Sequence, residues 1–267
     1  MPLATRRRVG AALAVLTALV GLSACTGAPP AVAPTPTATT PSGPTPAETL
    51  TRALAQVKGM NCDLTVTQPG QDSVATGSVD YDTLSATVTS KSRAENAIIS
   101  MEAVQVGPKL WTKIDFGSAN TKLNLNAKKW YLIDPAKLTG PNAKLFDVEN
   151  LDVLDMAGLM TSTSGVTRKD ATHLSGSVDL TRATGVSAPT QADLTAAGEG
   201  AAKVPFTATI DEQGRLVDLL IQADAVNPDL TNEYAFSHIG APGPVTAPAA
   251  ADVATTPASV YTIFNSL

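Results

Sequence analysis

Cys25 is the residue whose chemistry the sequence defines most clearly. It closes a short Leu-Ser-Ala-Cys run at positions 22–25. Three arginines at positions 6–8 form a basic head, and the stretch between them and Cys25 is apolar and ends in small residues. This order is the layout of a secretory signal peptide, which is absent from the mature protein. The sequence therefore predicts a signal peptide over residues 1–24 and a mature chain that works outside the cytoplasm.

The Leu-Ser-Ala-Cys ending looks like a bacterial lipobox, in which the cysteine thiol becomes thioether-linked to diacylglycerol. The peptide bond before Cys25 is then cut, and Cys25 becomes the first residue of the mature chain. Ordinary secretion and a signal anchor are the alternatives. The apolar run from Val9 to Leu22 has only 14 residues, whereas a spanning helix needs about 20. The pattern therefore favours a lipid anchor at the outer face of the cell membrane.

Apart from Cys25, few groups could carry out catalysis. The two histidines, His173 and His238, lie in separate strand-like regions, and neither has a second histidine or cysteine at metal-ligand spacing. Nucleophile-elbow, zincin, Cys-x-x-Cys and Walker patterns are absent from the sequence. We therefore expect a protein that is not an enzyme and holds no metal or other cofactor. An enzyme stays an alternative only if one histidine lies beside both a carboxylate and a nucleophile.

The charge of the chain limits its partners. The whole chain has 19 basic and 24 acidic residues and a net charge of −5. Without the three signal-peptide arginines the basic residues number 16, so the mature net charge is 16 minus 24, or −8. An acidic chain lacks the basic surface that nucleic acids require. It also has no electrostatic attraction to an anionic bilayer, so we expect the lipidated Cys25 to tie it to the cytoplasmic membrane.

Residues 25–44 separate the signal peptide from the rest of the chain. They are rich in Pro, Thr and Ala, show no period and offer almost nothing to bury, which predicts a disordered or polyproline-like tether. Residues 45–267 contain no similar stretch and no internal repeat, so we expect a single folded domain. Within it, Cys62 is either a small buried apolar side chain or, if Cys25 carries no lipid, the disulfide partner of Cys25.

Helix signals occur at four places in this domain. Thr45 and Glu48 form a capping box with proline at the first helical position, and a second capping box starts at Thr190. Apolar residues at helical spacing mark two further segments. The predicted helices cover 46–58, 148–161, a short stretch between Thr190 and Gly198, and 257–266.

Most of the remaining domain alternates apolar and polar residues with a period of two, which is typical of strands. The connections are too short for parallel crossovers, so we expect an antiparallel meander covered by the helices, in the α+β class. Residues 233–237 could add an edge strand. The other predicted strands cover 62–67, 74–81, 84–90, 97–106, 110–116, 130–133, 165–167, 173–180, 204–210 and 216–223.

Several segments, taken together in their order and spacing, resemble one known family. They are the lipobox, the tether, the first helix and residues 106–111, 130–135, 173–180, 204–211, 214–217 and 237–248. The family is that of the mycobacterial LppX/LprG-type lipoproteins, whose fold is similar to that of the periplasmic carrier LolA. The resemblance implies a strongly curved antiparallel sheet, a half-barrel, that wraps a few helices around an apolar cavity.

The same resemblance implies a function without catalysis. It implies that the cavity holds acyl chains of lipids or lipoglycans and carries them across the cell envelope. The ligand would be an acylated lipid or glycolipid, with a membrane transporter as a candidate partner. The alternative is an envelope scaffold or sensor-interaction lipoprotein that carries no lipid.

Candidate cavity-lining residues are the apolar residues expected to face inward. Plain core packing is the alternative for each of them, because both roles require the same side chains. Segment 130–133 is likewise either a core strand or a cavity wall, and the C-terminal helix could close over the cavity mouth or pack outside. The candidates are Leu64, Val66, Ile99, Met101, Leu110, Ile114, Leu151, Leu154 and Leu159.

Overall fold

A twelve-stranded sheet dominates the computed structural model, which describes residues 43–94, 97–139, 156–184 and 188–266. The strands are β1 (Cys62–Gln68), β2 (Ser73–Asp80), β3 (Ser85–Ala94), β4 (Ala97–Val106), β5 (Lys109–Asp115), β6 (Trp130–Ile133), β7 (Thr163–Arg168), β8 (His173–Val178), β9 (Val204–Ile210), β10 (Leu216–Ile221), β11 (Asn232–Ser237) and β12 (Val253–Ala254).

The strand order shows two meanders joined side by side. It runs β12-β6-β5-β4-β3-β2-β1-β11-β10-β9-β8-β7, and the sheet does not close into a barrel. All neighbours are antiparallel except β12, which is parallel to β6. The predicted α+β class and antiparallel meander are confirmed. A strand forms at the predicted residues 233–237, but its predicted edge position is wrong, because β11 pairs with β1 on one side and β10 on the other.

Four helical segments accompany the sheet within the described residues. The capping box of α1 is confirmed: the Glu48 amide donates to Thr45 Oγ1 at 3.2 Å and the Thr45 amide donates to Glu48 Oε2 at 2.8 Å. The third segment has the predicted box at Thr190 and ends at Gly198, whose φ of +57° favours glycine. The helices are α1 (Pro46–Val57), α2 (Met156–Leu159), α3 (Gln191–Ala197) and α4 (Ala258–Ser266).

The predicted helix over 148–161 falls mostly on residues outside the described ranges. Only α2, near its C-terminal end, is described. The candidates Leu151 and Leu154 also lie outside the described residues.

Side chains along each strand alternate between two faces of the sheet. On β1, Cys62 and Leu64 lie on the face that carries the helices, and both are buried with α1 residues in one cluster. We call this side the inner face and the opposite side the outer face. Asp63 and Thr65 lie on the outer face. The period-two pattern of the sequence therefore separates a helix-covered face from a polar one.

Two apolar cores lie on the inner face. The first core packs α1 and α2 against β1 and β8–β11, and its central side chains, such as Leu219 and Phe206, are at most 1% exposed. The second core packs α4 against β5 and β6. It consists of Leu110, Ile114, Leu125, Tyr131, Ile133, Leu138, Val260 and Phe264. Strands β2 and β3 lie between these two cores in the sheet.

The C-terminal strap, residues 240–254, runs over the outer face. Near its start the Gly243 amide donates to Asp63 Oδ1 at 2.8 Å, and near its end β12 pairs with β6. The strap therefore passes from β1 to the far edge of the sheet. Val104 and Trp111 lie on the outer face between these points and are only 7% and 8% exposed. We infer that the strap shields these two side chains from water.

Gly77 on β2 marks a very close approach of the neighbouring strand. A Cβ at this position would overlap the carbonyl oxygen of Thr87 on β3. Backbone cannot rotate away as a side chain can, so alanine would force the two strands apart. We expect Gly77→Ala to lower the free energy of unfolding by about 1–3 kcal/mol, measured by urea denaturation. Thr76→Ala, at the exposed neighbouring position, should change it far less, and equal effects of the two would contradict the close approach.

Candidate functional site

A pocket of about 380 Å³ lies on the inner face over β1, β2 and β3, beside the first core. Its base is formed by strand residues Leu64, Val66, Ala75 and Val88. Its remaining apolar lining comes from the first core and the segment before α3. Those residues are Leu159, Leu180, Ala188, Pro189, Ile221, Leu230 and Tyr234.

Strand register explains why space exists here. Ala75 on β2 lies between Val66 on β1 and Ser90 on β3, and Ser90 in turn pairs with Met101 on β4. In the adjacent row, Gly77 lies between Leu64 and Val88. The middle strands thus present small side chains, or none, on the inner face. A sheet surface without large side chains leaves room that the neighbouring helices must fill or leave open.

Exposure differs sharply along the inner face. Side chains of β8–β10, such as Val178 and Leu219, are fully buried. By contrast, the side chains of Val66, Ala75 and Val88 are only half-buried. The first core is therefore tightly covered, whereas the apolar surface over β1–β3 is incompletely covered by the part of the chain that the structure describes.

The pocket rim is polar and carries two carboxylates. Asp193 is the third residue of α3, and Asp229 lies in the 3₁₀ turn Pro228–Leu230 after β10. Gln68 Nε2 donates to Asn232 Oδ1 at 2.9 Å. Gln71 Nε2 donates to the Asp229 carbonyl oxygen at 3.2 Å. The first bond joins the end of β1 to the start of β11, and the second joins the 3₁₀ turn Pro69–Gln71 to the turn Pro228–Leu230.

The sequence-predicted cavity residues fall into separate places. Leu64, Val66 and Leu159 line the pocket. Met101 packs against the second core, where Leu110 and Ile114 are buried. Ile99, paired with Ser92 near the start of β4, is half-buried on the inner face. The structure thus brings three of the described candidates together at the pocket.

The structure also decides between the alternatives for segment 130–133 and for the C-terminal helix. Tyr131 and Ile133 belong to the second core, so segment 130–133 is a core strand there. Trp130 lies on the outer face, with Lys113 Nζ 5.0 Å from its ring centroid. The C-terminal helix buries Val260 and Phe264 in the second core and contributes no residue to the pocket lining.

Several pocket residues were not predicted from the sequence. Ala75, Val88, Ile221 and Tyr234 all stand at inward positions of the period-two pattern, which was the signal available. Ala75 has too small a side chain to stand out among the inward-facing apolar residues of the sequence. Tyr234 lies on β11, for which the sequence predicts an edge position, whereas β11 pairs with β1.

His238 lies beside a carboxylate and a hydroxyl. Asp63 Oδ2 contacts His238 Nδ1 at 2.8 Å, and Asp63 Oδ1 accepts from Ser78 Oγ at 2.5 Å. Burial raises the pKa of Asp63, but the bonds from Ser78, Gly243 and His238 outweigh it and hold that pKa below its usual value. In a catalytic triad the histidine lies between the acid and the hydroxyl. Here the acid lies between the other two, so the cluster is suited to fastening the C-terminal strap.

His173 forms a local turn. Its Nδ1 contacts Asp170 Oδ1 at 2.8 Å and Thr172 Oγ1 at 3.1 Å. Hydrogen bonds from the Thr172 amide and from His173 lower the pKa of Asp170. The carboxylate and the hydroxyl thus share one ring nitrogen, whereas proton relay from a nucleophile needs them on opposite nitrogens.

Cys62 is a free thiol, 4% exposed, in the first core. Its predicted burial is confirmed, whereas Cys25 lies outside the described residues. Burial, helped by the charge of Asp63, raises the Cys62 pKa to about 11. At pH 8 roughly one thiol in a thousand is then ionised, against about a quarter at an ordinary pKa.

We expect the thiol of Cys62 to be almost unreactive in the native protein. In a Cys25→Ser chain, whose only thiol is Cys62, an aromatic disulfide reagent should react at least a hundredfold more slowly than in denaturant, because the thiolate is scarce and shielded. The measurement is the absorbance of the released thiolate. Similar rates in the two conditions would contradict the burial of Cys62.

The described residues hold no group of three or more metal-binding side chains. None of the helices in the described ranges has the length and hydrophobicity needed to span a bilayer. No protein-family model matches the chain, and no curated protein matches it.

Proposed function

We propose that the mature domain binds the hydrocarbon of an acylated lipid in the pocket over β1–β3 and carries it across the cell envelope. The observation that carries this proposal is the half-buried apolar surface of Val66, Ala75 and Val88 beside a fully buried core. Of the described lining residues eleven are apolar and six are polar, and a concave site that combines apolar surface with polar groups is the usual form of a small-molecule site.

The size of the pocket suits one acyl chain. A water molecule occupies about 30 Å³ in the liquid, and a methylene group is of similar size, so 380 Å³ holds on the order of a dozen methylenes. Each methylene removed from water contributes roughly 0.8 kcal/mol. Because the pocket is open to solvent on one side, the gross gain is at most on the order of 10 kcal/mol, which is of the same order as the cost of association.

The close approach at Gly77 supports a curved sheet. Curvature brings neighbouring strands together on one face, and the missing Cβ of Gly77 accommodates the Thr87 carbonyl on the inner face. We propose that the sheet bends there toward its inner face, as the half-barrel of the LppX/LprG-type lipoproteins does. A bent sheet encloses an acyl chain on more sides than a flat one.

We further propose that a diacylglyceryl group on Cys25 holds the domain at the outer face of the cytoplasmic membrane. The lipobox sequence supports this anchor. The tether of residues 25–44 would reach about 25 Å as a flexible coil and about 60 Å as a polyproline helix. Either length lets the pocket approach the bilayer and then leave it, which a carrier requires.

The test is lipid analysis of the protein after purification. A Cys25→Ser chain, secreted by a lipid-rich bacterial host and purified without detergent, should yield about one acyl chain per molecule on solvent extraction and mass spectrometry. A secreted protein of similar size purified in parallel controls for adhering lipid. Absence of lipid, together with failure to bind a fluorescent fatty ester, would contradict the carrier function and favour a scaffold.

A further inference from the structure

We propose that the pocket selects lipids whose head group is uncharged and rich in hydroxyl groups, such as glycerol or sugar esters, over lipids with anionic heads. This inference rests on the proposed function. The described residues that line the pocket include Asp193 and Asp229 but no lysine, arginine or histidine. A head group at the rim therefore meets negative charge from two separate elements.

The first carboxylate is held in place by α3. Asp193 Oδ2 accepts from Thr190 Oγ1 at 2.6 Å and from the Thr190 amide at 3.2 Å. The capping box thus fixes the carboxylate at the rim, where it already satisfies the donors at the start of the helix. An incoming anion would find Asp193 where the helix terminus could otherwise have bound it.

The second carboxylate is placed by the turn after β10. Asn227 Oδ1 accepts from the Asp229 amide at 3.1 Å, and Gln71 Nε2 donates to the Asp229 carbonyl at 3.2 Å. Both bonds fix the backbone of Asp229, and Asp229 is exposed at the pocket rim.

Three amide nitrogens at the rim each donate one hydrogen bond within the protein. Gln68 Nε2 donates to Asn232, Asn232 Nδ2 donates to the Leu230 carbonyl at 2.9 Å, and Gln71 Nε2 donates to Asp229. One N–H of each amide is thus used within the protein, whereas the carboxylates of Asp193 and Asp229 add acceptor oxygens and no donor to the rim. Hydroxyl groups can donate to such oxygens, whereas phosphates and ionised carboxylates can only accept.

Two arginines lie near the rim, and neither offsets the negative charge of the two carboxylates there. Arg93 lies close in the sheet, but its Nε pairs with Asp72 Oδ2 at 2.6 Å. Arg182 follows the lining residue Leu180 by two positions, yet it is exposed and does not line the pocket. The negative potential of Asp193 and Asp229 consequently faces an entering head group, and none of the lining residues that the structure describes is a compensating cation.

The test compares probes that share a dodecanoyl chain and differ in head group. Lauroylglycerol, laurate and lauroyl lysophosphatidate would displace a neutral fluorescent fatty ester from the Cys25→Ser chain at pH 8, below their micelle concentrations. We expect lauroylglycerol to bind at least tenfold more tightly than either anion. Equal affinities, or tighter binding of the anions, would overturn the inference while leaving the carrier function standing.

Isosteric variants assign the selectivity to the rim. Asp193→Asn and Asp229→Asn combined should bring the affinity for laurate to within about threefold of that for lauroylglycerol, because asparagine keeps the capping oxygen and removes the charge. Asp218→Asn, an exposed outer-face control, should leave the ratio unchanged. Asp229→Asn alone, which spares the capping box, should give a partial effect if the double variant unfolds. If neither the double variant nor Asp229→Asn changed the ratio of the affinities for laurate and lauroylglycerol, the inference would be overturned. Failure of every probe to bind would overturn the proposed function with it.

Discussion

Ala75→Trp is expected to remove at least nine-tenths of the lipid that co-purifies with the protein while leaving the fold intact. Ala75 lies at the base of the pocket in the middle of the inner face, between Val66 and Ser90. An indole ring there would occupy the space that we assign to the acyl chain. Because this side chain enters an open pocket, we expect a stability change below the 1–3 kcal/mol typical of overpacked cores.

Lipid loading of Ala75→Trp is measured by extraction and mass spectrometry, and stability by urea denaturation. Thr76→Trp is the matched control, since Thr76 is the next residue of β2 and lies exposed on the outer face. It should retain full loading. If Ala75→Trp lost loading and stability together, the position would be ordinary core packing and the pocket assignment would fail.

Phe206→Ala is expected to lower the free energy of unfolding by about 3–5 kcal/mol. Phe206 is 1% exposed, lies between Ile221 and Gly176 in the sheet, and belongs to the first core. A Cβ on Gly176 would lie 2.9 Å from Phe206 Cε1, so the ring packs directly against that glycine. Removing the ring would leave a cavity that the surrounding strands cannot close.

Urea denaturation followed by circular dichroism measures this loss. Thr207→Ala, at the adjacent exposed position of β9, should change stability by less than about 1 kcal/mol. Lipid loading per folded molecule should stay unchanged in Phe206→Ala, because Phe206 does not line the pocket. A loss of stability no larger than that of the control would contradict the tight packing of the first core.

Local structure was largely predictable from the sequence because its signals are local. The capping boxes at Thr45 and Thr190 depend on side chains three residues apart, and both form as predicted. The turn before Arg215 is equally local: the Gly214 amide donates to the Asp211 carbonyl, and Gly214 has a φ of +77°. Period-two alternation predicted most strands for the same reason.

Long-range arrangement was less predictable. The pairing of β11 with β1 joins residues such as Phe236 and Leu64, and nothing in residues 233–237 distinguishes a central from an edge strand. The C-terminal strap has no hydrophobic period, so its course over the outer face could not be predicted. The pocket depends on small residues such as Ala75 and Gly77 facing the same side, which only the register of three strands reveals.

The candidate cavity residues also show that the sequence does not reveal contacts between distant parts of the chain. Val66 and Ile114 are both inward-facing apolar residues in strands, and the sequence treats them alike. The structure places Val66 at the pocket and Ile114 in the second core under α4, where it is 1% exposed. The difference arises from which helix covers each strand, and that is decided by contacts distant in sequence.

An experimental structure of the Cys25→Ser protein, purified from a lipid-rich host without detergent, tests the central claim most directly. We predict elongated density, belonging to no residue of the chain, in contact with Val66, Ala75 and Val88 on the inner face. Side chains of the protein itself packed over these three residues, with no space for a hydrocarbon chain, would contradict the account.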